Sequence, residues 1–179
     1  MALMALGIDI ILPAFDDIRS TFDLSDSGGQ ERQIITIYFI GLAIAQLFFG
    51  PLSDWFGRKP VLYIGISIYL IGAIGSALAP SFSLLMTARF VWGIGAAGSR
   101  VVAVAIIRDS FEGNRMAKAM SEIMAVFVLV PIVAPALGAG IIAIFPWQGI
   151  FWFCVIWAVA IGAWSLRLSE TLNPAYRTK

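Results

Sequence analysis

Apolar residues gather in long blocks separated by short polar connections. Five blocks, residues 34–52, 61–79, 84–107, 119–142 and 149–166, approach or exceed the roughly 20 residues that a helix needs to cross the ~30 Å hydrocarbon core of a bilayer. A sixth block, residues 2–13, is apolar but short and meets Pro13. At ~1.5 Å per residue it reaches only about 18 Å. The simpler expectation is that the chain begins inside its first helix; the other reading is a re-entrant segment. Short connections make neighbouring helices antiparallel. The pattern therefore predicts an all-α membrane protein, a six-helix transmembrane bundle over residues 1–168. The polar stretch 169–179, with Pro174, is expected to begin a cytoplasmic linker.

Basic residues give the bundle a direction. Arg58, Lys59, Arg108, Arg115, Lys118, Arg167, Arg177 and Lys179 fall on one side, and only Arg19 and Arg32 fall on the other. Lys and Arg in short loops mark the cytoplasmic side. The first helix is thus expected to run outward and the sixth to return.

Composition narrows the function. Sixty per cent of the residues are hydrophobic and 13% are charged, where soluble domains have nearer half and a quarter. A net charge of +1 gives no electrostatic basis for a nucleic-acid partner. Histidine is absent and cysteine occurs once, at Cys154. That removes the usual general base and the commonest zinc ligand. An enzyme, a metal site and a bound cofactor are not expected.

Charges inside apolar blocks are costly, about 2.5–3.5 kcal/mol each at a helix centre. Arg89 and Arg100 are eleven residues apart, within about 20° of one helical face. They either form a stripe on a wet cavity or snorkel to the two interfaces. Asp9 has no charged neighbour on its own helix. It either takes up and releases a proton as the cavity opens, or reaches water near the outer end. Pro131, Pro135 and Gly138 lie at relative angles of about 0°, 40° and −20°. This narrow stripe suits close helix approach and local bending. Gly41 with Ala45 and Gly93 with Ala97 have the small-xxx-small spacing of tightly packed helices.

Residues Gly50-Pro51-Leu52-Ser53-Asp54-Trp55-Phe56-Gly57-Arg58-Lys59 resemble the signature loop of the major facilitator superfamily, G-x-L-x-D-x-x-G-R-K, at all six specified positions. A two-glycine turn there would permit a sharp reversal between antiparallel helices. The segment from Arg89 to Ala97 is similar to the helix-four motif of proton-linked members. Pro131 to Gly140 resembles the helix-five antiporter motif at Pro135, Gly138 and, one residue late, Gly140; Pro131, Ala134 and Ala139 replace its other glycines. Gly7 to Ala14 resembles the helix-one motif of drug exporters. Together these resemble the bicyclomycin and chloramphenicol resistance subfamily of bacterial drug:proton antiporters.

The resemblance implies half of a twelve-helix fold, with a carboxy-terminal six-helix half absent from this chain and substrate bound between the halves. It implies that Asp54 caps a helix of that other half. It also implies that Arg58 pairs with Asp109, closing the cytoplasmic side. The expected function is proton-coupled efflux of antibiotic-like or other small amphipathic compounds across the bacterial inner membrane. The proton gradient would supply the energy, with Asp9 and Arg89 in the coupling. Tyr38, Phe39 and Trp92 are candidates for an apolar, aromatic cavity lining that would favour drugs. A nutrient or metabolite transporter of the same fold, or a non-transporting fragment, are the alternatives.

Overall fold

A computed structural model describes residues 2–24, 29–168 and 170–171. Its helices are α1 (Ala2–Asp9), α2 (Phe15–Thr21), α3 (Gln30–Phe56), α4 (Arg58–Ala77), α5 (Phe82–Ser110), α6 (Gly113–Ile142) and α7 (Gln148–Ser165). Helices α3 to α7 are each long and apolar enough to span a membrane. Their cores match the five apolar blocks, with polar turns added at the ends.

The first segment departs from expectation. Pro13 does not end it: a 3-10 turn over Leu12–Ala14 carries the chain from α1 into α2. Proline needs no amide partner at the start of a helical turn, so Pro13 breaks the first segment without stopping it. Of the expected linker, only Glu170 and Thr171 fall within the described residues.

Helix α5 is the hub, packed along α3 on one side and α4 on another, with α7 behind α4. Glycine makes the approach close. A Cβ on Gly93 would collide with the Tyr38 carbonyl, and one on Gly41 with the Phe90 carbonyl. The two small-xxx-small pairs thus face each other across α3 and α5. Helix α6 leans outward and buries only Ala134 and Gly138. It leaves Val126, Val128, Leu129 and Ile132 exposed, a face that water would not tolerate and that lipid or another helix can cover.

The bundle has two unlike ends. The basic end carries Arg58 and Lys59 at the start of α4, Arg108 and Asp109 at the end of α5, and Arg115 and Lys118 early in α6. The opposite end carries Asp16, Asp17, Arg19 and Glu31.

Candidate functional site

The site begins with the break in the first segment. The last carbonyls of a helix have no partner inside it. Arg89, on α5, meets one of them: its Nη1 donates to the Gly7 carbonyl at 2.8 Å, two residues before α1 ends at Asp9. A cation at a helix C-terminus also opposes the negative end of the dipole. Arg89 is 1% exposed. Its guanidinium carbon lies 4.6 Å from the Trp92 ring centroid and 4.8 Å from that of Phe151. These ring faces attract the charge, but Nε and Nη2 have no hydrogen-bond partner among the described residues.

Two tyrosines grip the same helix. Tyr38 Oη donates to the Met4 carbonyl and Tyr69 Oη to the Leu3 carbonyl, both at 3.2 Å. Side chains of α3, α4 and α5 therefore converge on the backbone of α1. From the other side α6 crosses the break, where a Cβ on Gly138 would strike the Ile10 carbonyl. Pro135 is half-buried beside this crossing. Pro131 and Gly140 are exposed, and a Cβ on Gly140 would meet nothing within 4 Å. Of the proline and glycine stripe, Gly138 meets the turn between α1 and α2, at Ile10 and Pro13.

Asp9 is half-buried at the terminus of α1, and among the described residues its carboxylate has no hydrogen bond or ion pair. The arginine stripe divides. Arg89 is enclosed among α1, α5 and α7, whereas Arg100 lines a cavity. Two of the aromatic candidates also need correction as cavity lining. Tyr38 is 1% exposed and Trp92 0% exposed; both sit in the core, with Trp92 edge-on to Tyr38, Tyr69 and Phe151. The glycine contacts draw α3, α4 and α5 so close that these rings fill the bundle interior. Phe39 is exposed.

At the basic end, Gly50 to Phe56 belong to α3 and Arg58 opens α4, so the expected two-glycine loop is a single residue. Gly57 has φ +101°, a conformation that favours glycine. Gly50 is not part of the turn. Arg58 is the centre of the network. Its Nε donates to Asp109 Oδ2 at 2.8 Å, and its Nη1 donates to Ser53 Oγ at 2.6 Å and to Asp54 Oδ1. The Arg58–Asp109 pair implied by the resemblance is present, and Asp54 is engaged within the chain.

Sequence reasoning missed Glu170. Its carboxylate accepts from the Arg58 amide at 3.0 Å and the Lys59 amide at 3.1 Å, while Lys59 Nζ donates to the Leu166 carbonyl at 3.2 Å. A carboxylate on the orphan amides of a helix start is favourable. Glu170 and the end of α7 are thereby tied to the start of α4. Reasoning also missed the ion pair at the opposite end, where Arg19 Nη2 lies 2.9 Å from the buried carboxylate of Glu31. It joins α2 to α3.

A family model described as Major Facilitator Superfamily matches residues 1–178. Multidrug resistance protein MdtL of Escherichia coli O81 (strain ED1a) is 36% identical over 173 residues, covering 97% of this chain and 44% of that protein. MdtL of Shigella dysenteriae serotype 1 (strain Sd197) matches at the same identity and coverage. Among solved structures, a D-xylose-proton symporter superimposes with a TM-score of 0.83 at 17% identity, covering 98% of this chain and 47% of its own. The human organic anion transporter MFSD10 (TETRAN) gives 0.72 at 21% identity, with the same coverages.

The chain belongs to the Major Facilitator Superfamily and is a multi-pass membrane protein. It spans about half the length of the relatives it matches and corresponds to their amino-terminal part.

Proposed function

We propose that this chain is the amino-terminal half of a proton-driven exporter of small amphipathic compounds, seated in a bacterial inner membrane. The reading is carried by the likeness to multidrug resistance protein MdtL over 97% of the chain. The geometry supports it. Transporters place coupling sites at broken helices, where backbone groups are freed. Here the first segment breaks beside Asp9, Arg89 holds its end, and α6 crosses it at Gly138. Asp9 would exchange the proton, Arg89 would sense its charge, and the proton gradient would serve as energy source without a bound cofactor. The Arg58 network would latch the cytoplasmic side, and a carboxy-terminal six-helix half would complete the substrate path.

The test is expression of the intact transporter in a bacterium stripped of its major exporters. Resistance to neutral and charged amphipathic antibiotics should rise several-fold and vanish with a protonophore. Unchanged resistance across a broad panel, with the protein present in the membrane, would remove the export reading.

A further inference from the structure

The cavity lined by Arg100, separate from the break in the first segment, opens between α3 and α5 toward the basic end. Its volume is about 410 Å3, and its polar lining is Gln46, Asp54, Arg58, Arg100, Arg108 and Asp109, with Ser53 beside them. That volume suits part or all of a drug-sized molecule.

The charges are uneven. Three arginines face two carboxylates, and both carboxylates are held by Arg58. Among the described residues neither Arg100 nor Arg108 lies within ion-pair distance of an acid. Gln46 adds an amide with no side-chain partner among them. The cavity thus retains two guanidinium groups without a carboxylate partner among the described residues. Eight residues separate them, about 12 Å along α5. Arg108, near the end of the helix, lies at the mouth and Arg100 lies deeper.

Arg100 has amphipathic surroundings. Its guanidinium carbon is 5.8 Å from the Phe127 ring centroid, and Nη1 is 3.9 Å from Met4 Sδ. These two contacts hold the arginine in place, while Val101, Val104 and Ala105 on the cavity wall suit an apolar body and the guanidinium fork suits a carboxylate or sulfonate. An unpaired arginine this far inside an apolar helix is costly, and such residues mark ligand paths.

We propose that Arg100 is a specificity-determining residue that binds the acidic group of an amphipathic organic anion, with Arg108 steering that anion in from the basic end. The substrate class of the exporter is then extended to aromatic acids. This rests on the export reading above, and the experiment separates the two.

The intact transporter is reconstituted in proteoliposomes with a proton gradient and offered nalidixic acid, an aromatic carboxylate, or its neutral methyl ester. Equilibrium binding of both to the purified protein is read in parallel by tryptophan fluorescence. Wild type should prefer the acid, with the lower KM and Kd. R100Q should reduce the acid-over-ester ratio about tenfold, the scale of one charge-assisted hydrogen bond. R100K should restore part of the ratio, and R108Q should slow acid uptake most at low salt. R115Q, exposed on α6 outside the cavity, is the control. Equal affinity of wild type for acid and ester, or an R100Q ratio equal to wild type, overturns the proposal even if export is robust. If neither compound is exported, the binding ratio still decides the role of Arg100, and the resistance panel decides the export reading.

Discussion

Arg89 closes the end of α1 by donating from Nη1 to the Gly7 carbonyl at 2.8 Å. One guanidinium both fixes where the first segment breaks and sits two residues from the acid at that break. Replacing Arg89 by Leu should strand that carbonyl, at a cost of about 1–3 kcal/mol, and should abolish proton-coupled export. Lys supplies a point charge without the planar fork, so R89K should regain thermal stability more than it regains export. Melting in detergent and export in vesicles separate these two. Equal export by R89L and wild type would show that the cap is not part of the coupling.

The Arg58–Asp109 pair joins the start of α4 to the end of α5. Arg58→Asp and Asp109→Arg should each weaken export severalfold. The double exchange should recover part of it, although Asp54 would then face a carboxylate at position 58. A double variant no better than the worse single one would mean the two do not act as a unit.

Glu170→Ala should free the first amides of α4 and lower stability by about 1 kcal/mol or less, the range of an exposed helix cap. Protease cleavage of the segment after α7 should quicken in the same variant, because Glu170 ties that segment to α4. An unchanged cleavage rate would remove the tie.

The apolar blocks made the spanning helices readable, since lipid demands length and hydrophobicity and little else. The Gly50–Lys59 signature made the basic-end network readable from Asp54 to Asp109. Glu170 was hidden because its partners lie over a hundred positions away and a lone acid after a helix has many possible roles. Tyr38 and Trp92 were misplaced for a different reason. Their burial depends on how closely α3, α4 and α5 approach, which is set by Gly41, Gly72 and Gly93 on facing helices. Periodicity along one helix does not reveal that distance. The break after Asp9 is not legible from Pro13, because proline both breaks and begins helical turns and the partners around the break decide which.

Orientation rests on the charges at the ends and can be read by labelling. Ser81→Cys, between α4 and α5, should react with an impermeant thiol reagent from outside whole cells. Glu112→Cys, between α5 and α6, should not; the native Cys154 is buried. The reverse pattern would invert the bundle.

Asp9→Asn decides whether the break at the end of α1 carries the proton. Neutral chloramphenicol added to the purified intact transporter in weakly buffered detergent should release protons from wild type. The Asn variant should bind the drug with similar affinity and release none. Full drug-induced proton release from Asp9→Asn would rule out Asp9 as the carrier and move the coupling acid elsewhere in the transporter.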